Sequence, residues 1–327
     1  MPDVFIIAEA AQGFEGSPEL SRLLIKAAEV AGADAIKFQL VYADDLAVPG
    51  YQYYDLFKQL EMPDQVWSTL RQQADKAGLG FYIDVLGPRS AEVARNLGAD
   101  GVKIHSTCFF ETPLIDACID LAPNLLFSVG GITLNEFNKR LESYDLADRG
   151  SATIMYGYQA EPTPTERNNL GRIPVYRDRT GLDVGFMDHA DGAGPDSVNL
   201  SVMALGLGVT KFEKHITLDR ELELEDYISG LAPSEFQNYV TTLRRLSSAI
   251  GTSSLELSTE EMTYRGKALK RVVAADNLSQ GHVIKVSDLS LLRPATEGGL
   301  FIPEEAIGKT LRYDVAKGQS IDSKDLV

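Results

Sequence analysis

The chain has 327 residues, 44% of them apolar, enough for one large core and a second small one. Its 31 basic and 47 acidic residues give a net charge of −16, which excludes a broad nucleic-acid or anionic-membrane surface, so positive charge that serves a substrate must be local. Two cysteines, Cys108 and Cys118, exclude a disulfide framework and point to a reducing cytoplasm; no basic, apolar leader opens the chain and no apolar run is long enough to span a bilayer.

Short β-rich runs alternate with longer amphipathic stretches over the first three quarters of the chain. The pattern predicts strands at residues 4–8, 35–40, 81–85, 101–104, 125–129, 152–156, 183–186 and 211–215. It predicts helices at 18–31, 63–77, 113–121, 133–144 and 196–207, with 231–250 closing the series. Gly32-Ala33-Asp34 and Gly98-Ala99-Asp100 each precede a strand, as helix-ending turns should. Eight strand–helix units in about 250 residues have the size and order of a (β/α)8 TIM barrel. An open doubly wound sheet shows a similar alternation, but no Gly-x-Gly-x-x-Gly follows the first strand. The expected division is a barrel over 1–250, a polar linker over 251–267 and a small module over 268–327. Within that module Leu278-x-x-Gly281-x-x-Ile284-x-x-x-Asp288-Leu289 is echoed, at identical spacing, by Val315-x-x-Gly318-x-x-Ile321-x-x-x-Asp325-Leu326. The echo predicts two related turns in a pseudo-symmetric unit.

In a barrel, chemistry gathers at the carboxyl ends of the strands, and polar residues recur there. Glu9 follows the first strand, Lys37 and Gln39 end the second, Lys103 and Ser106 end or follow the fourth, and Ser128 lies at the end of the fifth. His189 and His215, two of only four histidines, stand 26 residues apart at the last two strand ends. Two such imidazoles either bind their neighbours in the core or converge on one divalent ion with positions left open; nitrogen ligands and water suit manganese, zinc or iron better than calcium. Asp188 and Glu213 either orient the imidazoles or form ordinary salt bridges. Lys37 and Lys103 each deliver an ammonium to the barrel mouth, where it needs an anion. That anion is either an internal carboxylate such as Glu9 or Asp84, or the phosphate and carboxylate of a substrate held with Ser106 and Ser128. The acidic run 219–226 reads as a solvated loop from which one carboxylate could face the site, Tyr51-Gln52-Tyr53-Tyr54 as a lid or as packing, and Cys108 as an apolar filler.

These residues, in this order, resemble the sialic acid synthase family, enzymes that condense phosphoenolpyruvate with an N-acylated hexosamine. The likeness runs through Ala8-Glu9, Gly32-Ala33-Asp34-Ala35-Ile36-Lys37-Phe38-Gln39, Val102-Lys103-Ile104-His105-Ser106, Pro162-Thr163-Pro164, Asp188-His189 and Glu213-Lys214-His215-Ile216-Thr217-Leu218-Asp219-Arg220. Leu292-Arg293-Pro294 and the Gly281 and Gly318 turns resemble the antifreeze-like (SAF) domain that ends these synthases. The resemblance implies a divalent ion, manganese first and otherwise magnesium, cobalt or zinc, on His189 and His215. It implies that Lys37, Lys103, Ser106 and Ser128 hold phosphoenolpyruvate, that Glu9 and Asp226 contact the sugar or an ion-bound water, and that Gln39 and Gln159 belong to the substrate-binding set. It further implies a domain-swapped homodimer in which Arg293 reaches the acyl group of the partner's substrate, with no nucleic-acid or membrane partner. The chain departs from the family pattern at Ile83-Asp84-Val85-Leu86, Thr107-Cys108, Tyr156-Gly157-Tyr158-Gln159, Glu161 and Met187. Those departures keep a metal-dependent barrel aldolase or isomerase that uses no phosphoenolpyruvate as the alternative.

Overall fold

Every barrel strand alternates between a residue that meets the surrounding helices and one that points to the barrel axis. In β1 (Phe5–Ala11), Ile6, Ala8 and Ala10 join the outer core, while Ile7 joins an inner layer with Ala35, Tyr82, Leu126, Met155 and Met187. The structure, a computed structural model, describes residues 3–144, 146 and 152–327. The remaining strands are β2 (Ala35–Leu40), β3 (Gly80–Val85), β4 (Gly101–Ile104), β5 (Asn124–Ser128), β6 (Ala152–Tyr156), β7 (Asp183–Asp188) and β8 (Lys211–His215). They pair in parallel in chain order, and β8 pairs with β1 to close an eight-stranded barrel. The (β/α)8 expectation holds, and the open-sheet alternative is excluded by that closure.

The repeated Gly-Ala-Asp is both a helix stop and a strut. The helix Pro18–Ala31 starts on a Ser17 cap, whose side chain accepts the Leu20 N–H, and ends at Gly32 in the left-handed region (φ 77°), where glycine carries no Cβ penalty. Two residues on, Asp34 accepts the N–H of Ile6 in β1 at 2.7 Å. Gly98 (φ 60°) ends the helix Pro88–Leu97 in the same way, and Asp100 accepts the N–H of Phe81 in β3 at 2.8 Å. Each turn thus fixes the start of one strand to the start of its neighbour.

The chain divides into two units, Met1–Thr252 and Ser253–Val327. The second unit pairs β9 (Arg271–Ala274) with β10 (Leu289–Leu292) in antiparallel fashion over its own core of Val272, Ala274, Ile284, Leu311 and Ile321. The sequence echo is a structural one. Leu278 and Val315 bond each other's backbone at 2.9 and 2.8 Å, Gly281 and Gly318 adopt φ 81° and 80°, and Asp288 and Asp325 each accept the N–H three residues earlier at 2.8 Å. Residues 251–267, expected as a linker, instead contain the helix Thr259–Ala268 with a Ser258–Glu261 capping box. None of its residues is buried, so it lacks the apolar stripe by which helices are recognised in sequence.

Candidate active site

Parallel pairing of β7 with β8, Asp188 opposite Lys214, brings His189 and His215 together. Their ring centroids lie 5.4 Å apart with planes inclined at 50°. Both line a cavity of about 580 Å³ with Gln12, Gln39, Gln159, Glu161, Glu225 and Asp226, while Tyr53, Leu56 and Phe57 form an apolar wall. No lysine or arginine is among the described residues of that lining. The Gln12 amide donates to the Gln39 carbonyl at 2.9 Å, and Gln159 lies so close to Gly130 that a Cβ there would overlap its side chain.

Burial dominates the electrostatics of the pair. It pushes His189 down to about 3, with His215 beside it adding to the effect, and it lowers His215 as well, so both rings are neutral at pH 7 with lone pairs available. The His189 Nδ1 is buried and has no hydrogen-bond partner. A buried ring nitrogen without a partner beside a second neutral imidazole fits a divalent ion. Among the described residues no group of three or more His, Cys, Asp or Glu side chains is placed to hold a metal ion.

A carboxyl pair faces the rings. Burial alone would raise Glu161, but His215 and hydrogen bonds from Asp226 and Ser229 outweigh it and hold Glu161 at about 2. Ser229 donates both its backbone N–H (3.3 Å) and its hydroxyl to the same Glu161 oxygen. Burial and the bond to Glu161 push Asp226 up to about 8, so at pH 7 Asp226 holds the proton and donates it to Glu161. Asp226 sits at φ 63°, a left-handed conformation that costs an L-residue about 1 kcal/mol and is held here by its contacts.

Beside the cavity lies a second group of charges, none more than 3% exposed: Glu9, Lys37, Asp84, Lys103 and Glu213. Glu9 opposes Lys37 on β2 and His215 on β8, and Asp84 opposes Lys103. A bulge after Glu9 puts Ala11 at φ 45° and lets Glu9 Oε1 accept the Ala11 N–H at 2.7 Å. The Lys37 Nζ pairs with Glu9, with Asp84 Oδ1 at 2.7 Å and with Glu213 Oε1 at 3.4 Å. The Lys103 Nζ reaches Glu213 Oε1 at 2.6 Å, Asp84 Oδ2 at 3.1 Å and Met187 Sδ at 3.6 Å. Burial pushes Glu9 up to about 8 against the pull of Lys37; for Glu213 the two lysines outweigh burial and hold it at about 2. Burial would also discharge Lys37, but Asp84, Glu213 and Glu9 outweigh it and keep it charged. At neutral pH Lys37 therefore stays charged and Glu213 ionised, with Glu9 protonated.

The structure brings Gln39, Gln159, Asp226, His189 and His215 into one cavity and gathers Glu9, Lys37 and Lys103 in the cluster. Glu9, expected to contact the sugar or an ion-bound water, is not among the residues lining the cavity; its carboxyl group is turned onto Lys37 and its own strand. The anions on the lysines are internal carboxylates. Asp188 and Glu213 make salt bridges rather than imidazole supports: Asp188 binds Ser201 Oγ (3.0 Å), the Ala190 N–H (2.9 Å) and Lys214 (3.3 Å), and Glu213 binds the lysines. Ser106 is half-buried outside the cavity, and Ser128 is fully buried with its hydroxyl unpartnered. Arg293, in the second unit, is exposed and donates Nε–H to the Ala268 carbonyl at 2.8 Å. Burial pushes the Cys108 thiol up to about 12, as befits a filler. Sequence reasoning did not place Gln12, Glu225, Leu56 or Phe57 at the site; the only signal was the tyrosine run, which leads into the helix Tyr54–Leu60.

Comparison with known proteins agrees with this architecture. The NeuB family model matches residues 24–254, and the SAF domain model matches residues 271–327. An N,N'-diacetyllegionaminic acid synthase of Legionella pneumophila is 26% identical over 335 residues, covering 97% of this chain and 93% of the relative. The N-acetylneuraminate-9-phosphate synthase of Homo sapiens is 24% identical, covering 97% of this chain and 91% of the relative. Among solved structures, the N-acetylneuraminic acid synthetase of Leptospira borgpetersenii superposes with a TM-score of 0.74 at 24% identity, covering 80% of this chain and 91% of that one, a likeness of fold.

Proposed function

Because the chain belongs to the NeuB family, with a SAF domain at its end, we propose that it condenses phosphoenolpyruvate with an N-acylated hexosamine or a related aldose. The products are a 2-keto-3-deoxy sugar acid and phosphate. The observation that carries this reading is the pair of neutral imidazoles, one with an unpartnered nitrogen, in a cavity bordered by a proton-sharing carboxyl pair. The names carried by relatives that span nearly the whole chain support it.

His189 and His215 would hold a divalent ion, manganese or otherwise magnesium, cobalt or zinc, which supplies Lewis-acid polarisation of a carbonyl oxygen when bound. The chain's own groups do the rest. Lys37 and Lys103, with Ser106 and Ser128 near the same strand ends, would take the donor's negative charge. Gln39, Gln159 and Glu161 would hold the acceptor's hydroxyl and amide groups so that its open-chain aldehyde carbon meets the donor's methylene carbon. As that carbon–carbon bond forms, Asp226, which holds a proton at pH 7, would donate it to the former aldehyde oxygen. Water then adds at the central donor carbon, and the adduct collapses with loss of phosphate. A homodimer with exchanged SAF domains, in which Arg293 meets the acyl group of the partner's substrate, belongs to the same proposal; light scattering tests the dimer.

The deciding experiment is a phosphate-release screen over N-acylated hexosamines, their 6-phosphates and plain aldoses with manganese, followed by product mass. Folded protein that releases no phosphate with any of them removes this reading. One observation favours a second reading, a metal-dependent aldolase or isomerase acting on a sugar without phosphoenolpyruvate: Asp84 contacts both lysines meant for the donor. A product formed with no phosphate released would select it.

A further inference from the structure

Lys37 and Lys103 come from β2 and β4, and Asp84 comes from β3 between them. Its two oxygens divide between the two ammonium groups, Oδ1 at 2.7 Å from Lys37 Nζ and Oδ2 at 3.1 Å from Lys103 Nζ. That is how a small bound anion would bridge two lysines. Asp84 is fully buried, its oxygens are held by the two ammonium groups, and its short side chain is fixed to a barrel strand, so it has nowhere to withdraw. The neighbours offer no compensation. Glu9 and Glu213 are further carboxyl groups, and Lys103 also meets the Met187 thioether at 3.6 Å. A buried carboxyl group that bridges both cations is a competing anion built into the subsite.

We propose that Asp84 is the specificity-determining residue of the donor subsite. Its carboxylate takes the position between Lys37 and Lys103 that an incoming phosphate would occupy, so the protein holds a multiply charged donor weakly and a singly charged 2-oxo acid comparatively well. This rests on the reading of the two lysines as the donor's anion subsite.

The test is calorimetric titration of the full-length protein with phosphoenolpyruvate, pyruvate and inorganic phosphate. Wild type is expected to bind pyruvate at least as tightly as phosphoenolpyruvate. Asp84→Asn and Asp84→Thr are each expected to bind phosphoenolpyruvate and inorganic phosphate about tenfold tighter or more, because one charge within a few ångströms of a phosphate is worth at least that in a buried site. Adding Lys103→Met to Asp84→Asn is expected to erase the gain. Wild type that prefers phosphoenolpyruvate, or folded variants with no gain, or a gain that survives Lys103→Met, overturns the proposal. Turnover by wild type with no gain in the variants sinks this inference and leaves the proposed function standing; a gain in the variants with no phosphate release by wild type does the reverse.

Discussion

The histidine cavity and the lysine cluster lie on neighbouring strand ends but resolve the burial of polar groups in opposite ways. In the cluster every charge meets a counter-charge: two ammonium groups face Asp84 and Glu213, and Glu9 keeps its proton. In the cavity a ring nitrogen is left without a partner and a carboxyl pair shares one proton beside open space. Closed electrostatics serve folding, because breaking such a set leaves an uncompensated buried charge. Open electrostatics serve binding, because the missing partner is supplied by a ligand. The cluster was expected to receive substrate, and its carboxylates and ammonium groups are paired as ions with one another.

The comparison is broken or sharpened by experiments of decreasing effect. Replacing His189 or His215 by alanine is expected to cut product formation by about 10³-fold, or about 4 kcal/mol of barrier, while the melting temperature moves by less than about 3 °C. Comparable stability losses in both variants would make the rings structural. In the cluster the expectation is inverted. Lys37→Met leaves three carboxyl groups with one ammonium and is expected to lose about 3–5 kcal/mol in urea unfolding, much of it restored by adding Asp84→Leu. A loss under about 1 kcal/mol would mean that the charges are not locked together.

Manganese at about 100 times its dissociation constant should raise wild-type stability by about 2.7 kcal/mol, and should do nothing to the two alanine variants. An equal shift in all three proteins would put the ion elsewhere. The pH response separates the regions further. Glu9 and Asp226 are pushed up to about 8, above their ordinary values of 4.5 and 3.8. The folded state therefore binds these protons more tightly than the unfolded chain, and their contribution to stability is lost as pH rises from about 5 to about 8, by up to about 1.4 kcal/mol per unit for each group. Glu161 and Glu213, held at about 2, work the other way, and their contribution is lost as pH falls below about 4.5. His189 and His215, lowered by burial from 6.5, oppose the two raised carboxyl groups up to about pH 6.5, so urea titrations from pH 3 to 9 should show a broad maximum between about pH 4.5 and 6.5 and a fall toward pH 8, and Glu9→Gln should flatten that alkaline side; a maximum at pH 8 contradicts the assignment. The smallest effect belongs to Ser229→Ala, which removes the hydroxyl bonded to Glu161 and should cost about 1.5 kcal/mol of stability, with a few-fold rise in the sugar's KM and kcat little changed.

Much of the barrel was legible because its strands are short apolar runs bounded by glycine turns. Residues 35–40, 101–104, 152–156 and 211–215 are strands with the bounds the pattern gives, and 4–8 differs mainly because β1 continues past a bulge to Ala11. The two histidines were legible by position, each at a strand end. The helices Tyr54–Leu60 and Thr259–Ala268 were not, since the first bears few buried residues and the second none. Asp226, named only through the family resemblance, stands in an acidic run whose other carboxyl groups, Asp219, Glu221, Glu223 and Glu225, are exposed, and local sequence does not tell which of them turns inward.

By itself the sequence determined which residues stand at which strand ends, because the period of two and the glycine stops are local properties of the chain. What those residues face was decided only by closure of the barrel. Pairing the first strand with the last, and the third with the second and fourth, carries Asp84 and Glu213 onto both lysines and Glu9 onto Lys37, from three distant segments. Coulomb energy depends on separation in space and on the exclusion of water, neither of which is written in the spacing of residues along a chain.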